Sequence, residues 1–218
     1  MPIDRTEVQT DEFSIENASQ LIAARPAAGV IKSGWDAATS DTSTVNYPTE
    51  FKFIDGQFQI IKFLDQTGPF AVYKQHWLTQ KTSGKRSYIS LGANDPLCVK
   101  LGSKPVDKRA FTIANLSAEG GPQRQMLIAS PRLYKSLHAA EYSPQGPLTK
   151  NYWAVSRTGE MAQTAYHLNA VKERDLLEDW GIDIASMQGT IAAMTPYDRS
   201  AIKEPTWEEL EAIAEALS

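Results

Sequence analysis

Three runs, Phe58-Gln-Ile-Ile-Lys-Phe-Leu64, Phe70-Ala-Val-Tyr-Lys-Gln-His-Trp-Leu78 and Arg86-Ser-Tyr-Ile-Ser-Leu91, decide the fold. Each is short and rich in aromatic and β-branched residues, the types that suit a pleated, half-buried surface. Asp55-Gly56, Thr67-Gly68-Pro69 and Ser83-Gly84 punctuate them with turn chemistry. In the third run Arg86, Tyr88 and Ser90 alternate with Ser87, Ile89 and Leu91, the period of a strand. Further along, Arg109–Leu116 reads as another strand, and Tyr152–Ser156 and Thr164–Leu168 as a late pair around Arg157-Thr158-Gly159. Pro131–Ala140 between them is a helix, with Ser130 as N-cap, Pro131 at the first position and Leu133, Leu137 and Ala140 on its apolar face. The expected class is mainly β with helical additions. Five or more short strands and one interposed helix suggest an OB-fold-type five-stranded barrel, closed on itself to remove its edges. An open α+β sheet fits the same strand list.

The flanks differ in texture. Residues 1–50 read as an N-terminal arm, with a short helix Ser14–Ala24 (N-cap Ser14; Ile15, Leu21 and Ile22 apolar) and a Ser/Thr/Asp-rich linker Ser33–Pro48. Residues 51–174 form the β domain. After Val171 the pattern turns helical over Lys172–Trp180, Asp183–Met194 and Thr206–Leu217, and residues 175–218 make an acidic α-helical C-terminal region. Thr206 and Glu209 have capping-box spacing, and Trp207, Leu210, Ile213, Ala214 and Leu217 recur with helical period.

The formal charge of −4 over 218 residues conceals segregation. Residues 1–50 carry 3 basic and 8 acidic side chains, residues 51–174 carry 17 and 8, and residues 175–218 carry 2 and 10. A basic middle at +9 between acidic ends at −5 and −8 points to a polyanionic partner for the middle. No apolar run approaches the ~18 residues of a membrane span, and the single cysteine, Cys98, excludes an internal disulfide and fits a reducing cytoplasm. No phosphate-binding loop, dinucleotide fingerprint or nucleophile elbow is present. Glu173, Asp175, Glu178 and Asp179 have the spacing of a solvated helix face, and His76, His138 and His167 have no evident nucleophile partner, so an enzyme is not expected.

Binding unpaired nucleotides without reading them requires cations along the phosphates and flat rings for the bases. The middle region interleaves both. Lys62, Lys74, Lys85, Arg86, Arg109 and Arg157 are the candidate phosphate contacts, and Trp77, Tyr88 and Trp153 the candidate stacking platforms.

With these residues in view, the stretch Phe58–Leu116 (…IIKFLDQTGPFAVYKQHWL…GKRSYISLGANDPLCVKLGSKPVDKRAFTIANL) and the stretch Trp153–Gly181 (WAVSRTG…TAYHLNAVKERDLLEDWG) resemble the single-stranded DNA-binding protein of actinobacterial tailed phages. The layout is similar to that of the T-even phage helix-destabilising protein, with an OB-fold core, a zinc subdomain and an acidic tail. The resemblance covers about residues 51–181. It implies a non-catalytic protein that coats single-stranded DNA in phage replication, recombination and repair, in the cytoplasm of the infected host. It also implies phage or host replication and recombination proteins as partners of the acidic C-terminal region. That region is alternatively a segment that occupies the basic groove when DNA is absent, or simply a solubilising one.

Where relatives hold zinc with one histidine and three cysteines, this chain has His76, Ser90, Asp95 and Cys98. The expectation is therefore no zinc, with the loop Leu91–Pro105 held by Leu97, Val99 and Leu101. Two other readings fit the same residues: an OB-like protein-interaction adaptor that does not touch DNA, and an RNA-binding protein.

Overall fold

The computed structural model describes residues 48–82, 84–160 and 163–218; the Ser14–Ala24 helix and all of the linker but Pro48 lie outside the described residues. The sheet is organised by β4 (Val106–Asn115), because both of its edges are occupied. Along one edge runs β5 (Gln123–Ala129), antiparallel, from Arg109 opposite Ala129 to Asn115 opposite Gln123. The other edge is shared end to end by two strands. The first, β1 (Gln59–Phe63), pairs the C-terminal half, with Ile61 opposite Asn115. The second, β2 (Ala71–Thr82), pairs the N-terminal half, from Ala71 opposite Ala110 to Gln75 opposite Val106. Thr112 falls between the two registers, where Asp65 takes the place of a strand carbonyl: the Thr112 N–H donates to Asp65 Oδ2 at 2.5 Å. Burial pushes the Asp65 carboxyl up to about 6, against the opposing pull of its Thr112 hydrogen bonds.

Beyond these, β3 (Lys85–Ile89) pairs with β2, and β6 (Tyr152–Thr158) lies between β1 and β7 (Ala165–Val171). The order is β3-β2-β4-β1-β6-β7 with β5 on the free edge of β4, seven strands in antiparallel pairs. This corrects the expected closed five-stranded barrel: among the described residues no ladder joins β5 or β3 to β7, and the sheet is open. The physical reason lies in what fills the gap. Residues 49–57 make isolated bridges to β5 at Met126 and to β6 at Arg157, and insert Phe51 and Phe53 into the core. The helix α2 (Pro131–Glu141) lies against β4, β5 and β7 and contributes Leu133 and Leu137, so the interior is sealed without a closing strand.

The strand missed by sequence reading is β5. Its opening Gln-Arg-Gln looks like loop, yet Gln125 is buried beside Asn115, whose Nδ2 donates to Gln125 Oε1 at 3.1 Å. A buried amide is tolerated once it is paired.

The inner face packs Ile61, Phe63, Phe111, Ile113, Leu127, Trp153 and Val155 against α2. The outer face is roofed in two places. Helices α3 (Asp175–Trp180) and α4 (Ile184–Ala192) cover Ile60, Ala114, Tyr152, Ala154 and Val171. Tyr197 and Ile202, flanking the short 3-10 turn Arg199–Ala201, cover Ala71, Ala110 and Met126. At the far end of β2 and β3, α1 (Pro96–Leu101) and α5 (Trp207–Leu217) close a third cluster of Leu78, Tyr88, Leu97, Leu210 and Ala214. The capping box of Thr206 and Glu209 starts α5 as expected, and Lys100 reaches both Glu211 and Glu215 at 3.0 Å. The acidic helix is therefore part of the packed fold.

Leu210 is fully buried under α1. Leu210→Ala is expected to lower unfolding stability by about 2–5 kcal/mol in urea titration. A loss near zero would mean that α5 is not docked. Gly146 follows α2 so closely that a Cβ would sit 1.8 Å from the Glu141 carbonyl oxygen. Gly146→Ala is accordingly expected to destabilise by more than about 1 kcal/mol, the ordinary backbone cost of the exchange.

Candidate nucleic-acid interface

The N-terminal halves of β2 and β4 are left bare on the face that elsewhere forms the inner core. Val72 stands opposite Arg109, and Lys74 opposite Asp107, on the same side of the sheet as Phe111 and Ile113. Val72 is 65% exposed, and neither Lys74 nor Arg109 forms an ion pair among the described residues. The Arg109 guanidinium lies 4.0 Å from the centre of the Tyr134 ring, a cation–π contact of about 0.5–2 kcal/mol. Tyr134 begins a row along α2: its ring centre is 5.6 Å from that of His138, which is 4.8 Å from Tyr142. Facing this row, the turn Thr67–Gly68–Pro69 completes a cavity of about 220 Å³. Sequence reasoning identified the helix and missed the row. The signal was present as three aromatic rings at four-residue spacing, which puts them on one helix face.

The other predicted residues do not gather here. Lys62 points to the opposite face, its Nζ 4.7 Å over the Tyr152 ring, and burial pulls its pKa down, against the pull of Glu173. Lys85 lies 4.7 Å over the ring of Tyr88, whose hydroxyl is 2.8 Å from Thr82 Oγ1. Both line a cavity of about 800 Å³ between the sheet and residues 201–213. Arg86 and Arg157 each bury an Nε with no hydrogen-bond partner among the described residues, but β2, β4 and β1 stand between their strands. Trp153 is 1% exposed and donates its indole N–H to the Leu148 carbonyl at 2.8 Å, so it is a core residue and not a stacking platform. Tyr88 is likewise buried under α1 and α5. Trp77, at 67% exposure, keeps the geometry of a platform. The nine candidates thus do not line one groove. Lys74 and Arg109 share a face, and the others are distributed around the sheet.

The four positions aligned with a zinc site do come together. His76 Nε2 lies 2.9 Å from Asp95 Oδ2 and 3.8 Å from Cys98 Sγ, and the Ser90 hydroxyl donates to the same carboxylate oxygen at 2.6 Å. Asp95 Oδ2 also accepts the Leu91 N–H, its Oδ1 caps α1 by accepting the Cys98 N–H at 2.8 Å, and the Ser103 hydroxyl faces His76 Nδ1 at 2.9 Å. Burial alone would push the Asp95 carboxyl up, but hydrogen bonds from Ser90, His76 and the Cys98 amide outweigh it and hold it at about 2. Burial, followed by the nearby Asp95 charge, pushes the Cys98 thiol up.

One imidazole, one thiol, one carboxylate already saturated with donors and one hydroxyl do not fit a structural zinc. The loop is held by this hydrogen-bonded knot together with Leu97 and Leu101; Val99, 69% exposed on the outside of α1, does not contribute as expected. Asp95 and Cys98 both meet His76 Nε2, while the Ser103 hydroxyl takes Nδ1.

Because the folded-state value of Asp95 lies below its usual 3.8, its contribution is complete above about pH 4 and is lost as the pH falls through about 2. Unfolding titrations are expected to show a loss on the order of 2 kcal/mol over that interval, absent in Asp95→Asn. EDTA is expected to leave the melting temperature unchanged, and a chelator-induced drop would contradict the knot.

Compared with known proteins, the chain matches no family model, no curated protein and no solved structure.

Proposed function

We propose that this is a non-catalytic, sequence-independent single-stranded DNA-binding protein that coats exposed strands in phage replication, recombination and repair. One observation carries the reading: Lys74 and Arg109, which form no ion pair among the described residues, share a bare sheet face that runs into a row of aromatic side chains, Tyr134 half-buried and His138 and Tyr142 exposed. Cations neutralise phosphates and rings stack on bases, and neither contact reads sequence. The excess of basic over acidic side chains in residues 51–174 supports the same partner. We read the open sheet, with its helix between β5 and β6 packed beneath the inner face, as an opened OB-type arrangement. On this reading Lys62, Lys85 and Arg157 contribute to the long-range positive field and do not touch the strand.

Titration of the intact chain with a dT oligomer tests this directly. Binding is expected, with a log K against log salt slope of about −2 to −3 for three or four phosphates between about 50 and 200 mM salt. Arg109→Ala is expected to weaken binding and make that slope shallower by close to one phosphate. A flat salt dependence, or no binding, would contradict the reading. A gel in which neither single-stranded nor duplex oligomer is retarded would favour a protein-interaction adaptor instead. Preference for a matched RNA oligomer would move the physiological ligand to RNA.

A further inference from the structure

Resting on the single-stranded DNA reading, we infer that Tyr134, His138 and Tyr142 are a base-stacking track and that the cavity beside them seats one nucleobase. The three rings follow one face of α2 and its C-cap, with centres 5.6 and 4.8 Å apart. They are tilted by 57° and 52°, so they do not spend their faces on stacking against each other. Tyr142 is 78% exposed, an aromatic surface with no packing role in the core.

At the sheet end of the row, the Arg109 guanidinium covers one face of the Tyr134 ring and stands where a phosphate would follow a base stacked on His138 or Tyr142. Opposite stands the turn Thr67–Gly68–Pro69, which makes the track a slot instead of an open ridge. At about 220 Å³ the slot is smaller than the roughly 300–1,000 Å³ of cavities that hold drug-sized molecules, which suits a single planar heterocycle.

The acidic group in its wall, Glu141, is engaged: its Oε2 accepts the Leu148 N–H at 2.7 Å, so it stabilises the turn after α2. Lys135 on the same helix is exposed and forms no ion pair among the described residues, which leaves the local balance favourable to an anion. A chain of alternating bases and phosphates matches both the rings of this slot and the cations beside it.

Anisotropy of a labelled dT oligomer, measured with the full chain and with Tyr142→Ala, His138→Ala and Tyr142→Phe, tests the track. Each alanine exchange is expected to weaken Kd by roughly 5- to 150-fold, the range that follows from about 1–3 kcal/mol per stacked base. Tyr142→Phe, which keeps the ring, is expected to stay within about twofold of the parent. Photocrosslinking of an iodouracil-substituted oligomer to the unmodified chain gives a readout that needs no variant to fold. Adducts on peptides bearing Tyr134 or Tyr142 support the track. If the parent binds but both alanine variants bind equally well, or all adducts lie elsewhere, the track is overturned while the single-stranded DNA reading stands. If the parent does not bind at all, that reading falls and the track with it.

Discussion

One strand carries both the core and the surface of this protein. In β4, Ala110 through Asn115 is continuously buried, while Val106 through Arg109 is exposed or half-buried. Its C-terminal half is held by β1 and β5 and its N-terminal half by β2 and β5, so the register that packs Phe111 and Ile113 also fixes where Arg109 emerges. A shift of one residue would carry Phe111, Ile113 and Arg109 together to the opposite face, which makes the position of the cation as secure as the core itself. Asp65, filling the place between β1 and β2, takes up the Thr112 N–H in the two-residue gap, Phe111 and Thr112, where neither strand pairs.

The remainder of the fold can be understood as covering what the sheet leaves open. The inner face is sealed by α2 and the extended residues 49–57, and the outer face by α3, α4, Tyr197 and Ile202. The lobe at the end of β2 and β3 is pinned by the Asp95 knot and by α5. Ser90 and Asp95 stand at two of the four positions where the resemblance implies zinc ligands, and this coverage holds the lobe with them. A carboxylate that caps a helix, takes a hydroxyl and binds an imidazole ties together the same segments a metal would. It also gives the acidic C-terminal helix a structural part, since its Leu210 and Ala214 are buried and two of its glutamates meet Lys100.

Much of the fold was legible where local chemistry is decisive. The aromatic and β-branched runs gave β1, β2, β3 and β4, Ser130-Pro131 gave the start of α2, and Thr206 with Glu209 gave α5. Two elements were hidden. In β5, polar residues are buried by cross-strand amide pairing, a non-local event; in α1, the Asp95-Pro96 start signal was present but the helix is only six residues long. Closure was not legible at all, because a strand list says nothing about whether a helix or a strand fills the last gap.

The site was legible in part. Lys74 and Arg109 were recognised and share a face, but the indole of Trp153 was read as a platform although its alternation places it inward with Val155. The row of Tyr134, His138 and Tyr142 was not legible as a surface, because four-residue spacing marks one helix face but not whether that face is packed or open.

The claim on which this account depends is that an unpaired strand lies on the bare face of β2 and β4 and along α2. Hydrogen–deuterium exchange of the intact chain, with and without a saturating dT oligomer, tests it most directly. The account predicts slowed exchange in peptides covering residues 66–74, 106–110 and 131–143, with residues 175–217 unchanged. Protection confined to residues 175–217, or a bound oligomer that protects none of the three predicted segments, would contradict it.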